Sequence, residues 1–131
     1  MLFKNKNVLK TKIHLDFFTL KVCVVCNKKI LGTITCVINR ELKEISIIDI
    51  VCENINMGYG SMMMEALIRY ARRRRFKYID GALIKEDYDH KERLYHFFQK
   101  FGFEIIQNRD EFEIAGLKDE EKFADIKLKL R

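Results

Sequence analysis

Residues Asn54–Phe76 read NINMGYGSMMMEALIRYARRRRF, and the fold turns on how this stretch is parsed. Upstream, Ile45, Ile47, Ile48, Ile50 and Val51 form a β-branched run. Downstream, Met63, Met64, Leu67, Ile68 and Ala71 recur at three and four residues, as one buried helix face requires. Between them lies Gly58-Tyr59-Gly60-Ser61. A strand that stops at this turn and restarts as a helix leaves the first backbone N–H groups of the helix without carbonyl partners, with the positive end of the helix dipole behind them. Such a place holds phosphate. Two glycines alone would equally suit a plain turn that uses positive φ; the strand before and the helix after favour an anion cradle.

The bulk of the chain narrows the setting. Its 131 residues can bury about two thirds of their unfolded surface in one core, so a single domain over 1–131 is expected. Lys and Arg exceed Asp and Glu by 25 to 19, a formal charge of +6, which favours anionic partners without choosing among nucleotides, nucleic acid and acidic proteins. The opening MLFKNKNVLKTK is broken by lysines and asparagines, unlike a secretory signal. No apolar run approaches the ~20 residues of a membrane helix, and the expectation is a cytoplasmic protein with no membrane association. Cys23, Cys26, Cys36 and Cys52 all sit in apolar, strand-like stretches, as buried reduced thiols do. Cys23 and Cys26 form a CxxC pair, yet in an extended strand residues three apart face opposite sides and cannot share an ion. No metal is expected.

Along the chain, Ile13–Cys26 reads as one long or two short strands, Asn27-Lys28-Lys29 as a turn, and Ile30–Ile38 as the next strand, with Gly32 marking a bulge or a close approach. Glu44–Cys52 is a further strand, Ser61 to about Arg75 a helix, and Tyr78–Ile84 a strand. Tyr88–Phe101 reads as a second helix ended by Gly102, and Asp89 with Glu92 as its capping box. Phe103–Gln107 and Asp125–Leu130 complete the set, with Ile126, Leu128 and Leu130 inward, and Gly116–Glu121 is an exposed loop. The fold class is α/β, with an α+β type of mixed sheet.

Two motifs carry a resemblance. Ile55-Asn56-Met57-Gly58-Tyr59-Gly60-Ser61 and Phe97-Phe98-Gln99-Lys100-Phe101-Gly102-Phe103 occur in this order, separated by one strand. Together they resemble the GNAT superfamily of acetyl-CoA-dependent N-acyltransferases, whose signature is a strand, an Arg/Gln-x-x-Gly-x-Gly turn and a helix, followed by a helix ending like FYxKxGF. The resemblance covers Glu44–Phe103 closely and the flanking strands loosely. It implies a mixed, mainly antiparallel sheet flanked by helices and opened like a V between two parallel central strands, Glu44–Cys52 and Tyr78–Ile84, with a shortened N-terminal region. Acetyl-CoA is then the cosubstrate. Its pantetheine would lie in the gap along Ile50, Val51 and Cys52 and against Phe98, and its pyrophosphate on the amides of Met57, Gly58, Tyr59, Gly60 and Ser61, with the Ser61 hydroxyl as a further donor.

Two positions depart from the family pattern. Ile55 stands where the family has Arg or Gln, which removes one side-chain phosphate contact. Phe98 stands where many members carry the tyrosine that protonates the departing thiolate. Tyr95, one turn earlier and about 60° round the helix, is the candidate replacement acid. The acceptor amine must be neutral to attack, which calls for a base. Glu44, fourteen residues before Gly58, stands at the spacing of the basic glutamate in the histone acetyltransferase branch. Asp49 lies inside the apolar IIDIV, where an ionised carboxylate is costly unless it faces the cleft or caps a bulge. Asp87 and His90, beyond the second central strand where open sheets place ligands, are candidates to bind an amine and relay its proton.

Partners follow from what remains. Arg72–Arg75 complement the negative end of a helix and read as a solvated face. No aromatic residues alternate with the run as in a base-stacking groove, so nucleic acid is not the expected partner. The family inserts two helices between its first and second strands as one wall of the acceptor site, whereas here about twenty residues precede the meander and read mainly as strand. Either the cleft is wide enough for a peptide amine as well as a small molecule, or a second copy of the chain closes it as a homodimer. An alternative to the transferase is a module that binds coenzyme or a partner without transfer, which Phe98 and Ile55 support.

Overall fold

Asn27 and Lys28 both take positive φ, 51° and 69°, the handedness that matches the twist of a two-residue hairpin. The computed structural model describes residues 8–53 and 57–130; Ile55 and its two neighbours at 54 and 56 lie outside the described residues. The hairpin joins β2 (Thr19–Cys26) to β3 (Lys29–Asn39), after β1 (Leu9–Leu15) and before β4 (Glu44–Cys52). Helix α1 (Tyr59–Arg73) leads to β5 (Tyr78–Ile84), then a 3-10 turn at Lys85–His90, α2 (Lys91–Lys100), β6 (Glu104–Ile106), α3 (Glu111–Ala115) and β7 (Lys122–Lys129). The seven strands form one sheet in the order β1-β2-β3-β4-β5-β7-β6. Every pairing is antiparallel except β4 with β5.

Helix α1 covers one face of the sheet because its apolar stripe meets the inward rows of β2, β3 and β4. Met63, Met64 and Leu67 are fully buried there, with Leu20, Val22, Val24, Ile34 and Ile45; each such side chain contributes about 1.5–3 kcal/mol. Gly32 makes this approach feasible, since a Cβ on it would stand 3.0 Å from Met63 Cε and 3.1 Å from the Val51 carbonyl oxygen. The β2–β3 register also slips between Val24 and Val25, so both a bulge and a close approach occur here. The opposite face of β2–β4 carries Lys21, Thr33, Thr35, Val37 and Val51, none of them buried.

The structure corrects several expected elements. Of the two readings of Ile13–Cys26 the two-strand one holds, because Asp16, Phe17 and Phe18 form a turn in which the Asp16 amide donates to the Thr19 carbonyl at 3.0 Å, but the first strand starts earlier, at Leu9. The expected helix Tyr88–Phe101 is a 3-10 turn followed by α2, and Asp89 caps nothing: α2 starts after His90 with no side-chain cap. The capping box lies instead at Asp110, whose carboxylate accepts from the Glu113 amide at 2.8 Å while Glu113 accepts from the Asp110 amide at 3.0 Å. It opens α3, too short for helical periodicity to register in sequence. Phe103 is not in a strand; it turns into the core directly after Gly102, whose φ is 92°. Among the described residues no helix is long and apolar enough to cross a membrane.

Candidate active site

The parallel pairing of β4 with β5 runs only from Glu44–Tyr78 to Ile47–Gly81. On the other side of β4 the register with β3 passes from Cys36–Ile47 to Thr35–Asp49, leaving Ile48 as an extra residue. A bulge bends and twists its strand, and beyond this one β4 and β5 part. Gly81 sits at the apex, where a Cβ would meet the Ile47 carbonyl oxygen at 3.1 Å. The resulting split is a cavity of about 200 Å³ between Ile48, Asp49 and Ile50 on one side and Ala82, Leu83 and Ile84 on the other. Asp87, Leu94, Phe98 and Ile126 complete its lining. Both strands present main-chain groups to it that no neighbouring strand pairs, the arrangement that accepts an extended ligand as an added strand.

Where the opened β4 leads, α1 begins. Gly58 is its N-cap, with φ 77° and ψ 7°, and no side chain caps the helix. The first turn contains no acidic residue, so the amides that follow Gly58 face no competing carboxylate. Helix α2 packs its last turn against this spot: the Phe97 ring lies 3.3–3.4 Å from where a Cβ on Gly60 would be. Lys100 Nζ donates to Ser61 Oγ at 2.8 Å. Glycine amides, a hydroxyl and an ammonium group thus share one anion-attracting corner.

Of the residues singled out in sequence, Asp49, Ile50, Asp87 and Phe98 line the split, while Met57, Gly58, Tyr59, Gly60 and Ser61 form the turn and helix start beyond Val51 and Cys52 at the end of β4. The helix starts at Tyr59 rather than Ser61. Glu44 lies apart, half-buried opposite Tyr78 at the paired end of β4, about 16 Å along the strand from Asp49. Tyr95 does not line the split; its hydroxyl donates to Gln107 Oε1 at 2.7 Å and its ring tilts against Phe123. Burial pushes the Tyr95 hydroxyl above its usual range, and nearby Lys91 offsets part of this. His90 is exposed at the junction before α2. Sequence reasoning missed Lys100, whose signal was its place one helical turn after Phe97 in the second motif. Burial also raises the Cys52 thiol. No cluster of three or more His, Cys, Asp or Glu side chains able to hold a metal occurs among the described residues.

A split between parallel strands, with a glycine-turn helix start at its end, defines a class of fold, and comparison with known proteins agrees. Residues 10–103 match the Acetyltransferase (GNAT) family, and the chain belongs to it. Over 55 residues it is 34% identical to Uncharacterized protein YocC of Bacillus subtilis (strain 168), a stretch that covers 42% of this chain and 33% of that protein. The match therefore spans about a third of this curated relative. Among solved structures, the ribosomal-protein-S18-alanine N-acetyltransferase from Escherichia coli superposes with a TM-score of 0.67 at 16% identity, covering 88% of this chain and 72% of that one. A Bacillus subtilis acetyltransferase in complex with CoA gives 0.67 at 14% identity, over 95% of this chain and 100% of that one. At these identities the likeness is one of fold.

Proposed function

We propose that this chain transfers an acetyl group from acetyl-CoA directly to the amine of a small molecule or a peptide. The observation that carries the reading is the end of β4–β5 pairing at Ile47–Gly81, which opens a gap leading to the Gly58 turn. Pantetheine fits that gap as an added strand along Ile50, Val51 and Cys52, and the pyrophosphate suits the Gly58–Ser61 amides beside Lys100.

In this reading Asp49, an exposed carboxylate on the wall of the split, takes the proton from the acceptor ammonium, and Asp87 across the split attracts the amine. The neutral nitrogen attacks the thioester carbonyl and forms the C–N bond; the tetrahedral adduct loses its extra nitrogen proton to water and collapses with cleavage of the C–S bond to an amide and coenzyme A thiolate. Phe98 cannot protonate that thiolate, and the Tyr95 hydroxyl is engaged with Gln107, so solvent supplies the proton. A covalent acyl-cysteine is disfavoured, because burial raises the Cys52 thiol, away from the thiolate a nucleophile needs. The uncovered face of β2–β4 beside Asp49 supports an acceptor amine carried on a peptide.

A second reading, coenzyme binding without transfer, draws on Phe98, 3% exposed at the split where a proton donor would serve. Calorimetry with acetyl-CoA, run beside an assay of coenzyme release with mixed amines, separates the two. Binding with release supports the transferase, binding alone supports the module, and absence of binding sinks both.

A further inference from the structure

A second cavity, of about 300 Å³, lies at the other end of α1. Arg74 and Arg75 after the helix, and Arg40 and Lys43 from the β3–β4 turn, line it together with Tyr70 and Phe76. The 15 residues of α1 place it about 22 Å from the Gly58 turn. Among the described residues, none of these four cations takes part in an ion pair. Asp16 and Glu41, in the adjoining turns, are exposed and do not line it.

Complementing the negative pole of α1 requires charge only in its last turn, which leaves Arg40 and Lys43 unaccounted for. The backbone fixes where Lys43 and Arg75 enter the cavity. Lys43 and Arg75 both adopt left-handed conformations, with φ 57° and 63°, and the Lys43 carbonyl accepts from the amides of Lys77 at 2.7 Å and Tyr78 at 3.4 Å. The left-handed residue closes the β3–β4 turn at Lys43 and ends α1 at Arg75, which brings the two turns and their cations together.

Beside the cavity the β1–β2 turn displays Phe17 and Phe18, 72% and 64% exposed, with ring centroids 4.6 Å apart. Arg40 links this turn to the cavity by donating to the Phe17 carbonyl at 3.5 Å. Tyr70 and Phe76 flank the arginine run in sequence, with Arg74 over the Tyr70 ring at 5.4 Å, and the fold adds the exposed Phe17 and Phe18. We propose that this surface binds single-stranded nucleic acid, with backbone phosphate among Arg40, Lys43, Arg74 and Arg75 and a neighbouring base stacked on Phe17 or Phe18. A free phosphate or an acidic peptide would satisfy the cations and leave the paired rings without a role. The site is independent of the coenzyme cleft and stands whether or not the chain is a transferase.

The test is fluorescence anisotropy with a labelled oligouridine of about 12 nucleotides, titrated between about 0.05 and 0.3 M salt. Engagement of three or four phosphates gives a slope of log affinity on log salt of about −2 to −3. The Arg40→Ala, Arg74→Ala pair is expected to lose tenfold or more in affinity, flatten that slope and leave coenzyme affinity unchanged. Phe17→Ala with Phe18→Ala is expected to lose about 5- to 100-fold without changing the slope. Should that pair fail to fold, Phe17→Leu keeps the apolar bulk and removes the π face, with a smaller loss in the same direction. The proposal is overturned if the arginine pair binds like the parent chain, if removing the rings costs nothing, or if inorganic phosphate or polyglutamate at matched charge competes as well as unlabelled oligonucleotide.

Discussion

Replacing Lys100 by methionine isolates one charge at the proposed coenzyme corner. The ammonium lies 2.8 Å from Ser61 Oγ and over the rings of Phe97 and Phe101, at 5.6 and 5.1 Å from their centroids. Methionine keeps the stem against those rings and removes only the charge. A phosphate oxygen accepting from the Ser61 hydroxyl would stand roughly 3–5 Å from the ammonium, where a unit pair is worth about 1 kcal/mol in water and about 4 kcal/mol near a protein surface. Lys100 is exposed, so the lower figure governs, and coenzyme A should bind about fivefold more weakly to Lys100→Met. Calorimetry against coenzyme A and against pantetheine, which lacks the diphosphate, reads this directly. The loss should appear with coenzyme A only, and shrink as salt is raised to about 0.5 M because exposed charges are screened. Unchanged coenzyme affinity, or an equal loss with pantetheine, would refute a phosphate role for this corner.

Three further outcomes follow from named groups. Asp49→Asn should lower kcat by about 10²-fold or more with coenzyme affinity intact and the deficit narrowing as pH rises and more amine is free, whereas Glu44→Gln, at the paired end of β4, should turn over within about twofold of the parent; steady-state kinetics across pH decides. Phe98→Tyr places a hydroxyl at the split and should raise kcat by up to about 10²-fold, visible in pre-steady-state coenzyme release. Burial pushes the Cys36 thiol from 9.0 up to about 12, so the folded chain keeps this proton after the unfolded chain has lost it. Stability is therefore fully present below pH 9 and falls as pH rises toward 12, with a slope approaching about 1.4 kcal/mol per unit; denaturant melts should show that slope reduced in Cys36→Ala, and an equal slope would remove Cys36 as its source.

Much of the frame is legible before any coordinates. The spans Glu44–Cys52 and Tyr78–Ile84 coincide with β4 and β5 because each is an apolar run bounded by turn residues, and the stripe of Met63, Met64, Leu67 and Ala71 marks the buried face of α1. Other elements are set by tertiary contact. The 3-10 turn at Lys85–His90 is tied down by the Lys85 and Glu86 amides donating to the carbonyls of Glu121 and Asp119, at 2.8 and 3.0 Å. Those partners lie more than thirty residues away, beyond any local pattern. Lys100 likewise gains its meaning from Ser61, on another helix.

The feature that makes the site is the least visible in sequence. IIDIV reads as a continuous apolar strand, and a strand buried on both faces has this composition. Yet Ile48 and Val51 are 62% and 56% exposed, and Asp49 is exposed between them. The reason is the slip opposite Thr35 and Cys36, which turns the strand away from β5. Asp49 was the local sign of it, because an ionised carboxylate cannot stay in a closed sheet without a partner. With the strand opened, the carboxylate has solvent, the isoleucines form an apolar wall, and the main chain between them is free to pair. The gap opens next to a glycine-capped helix, and in the proposed function the coenzyme enters there as the missing strand.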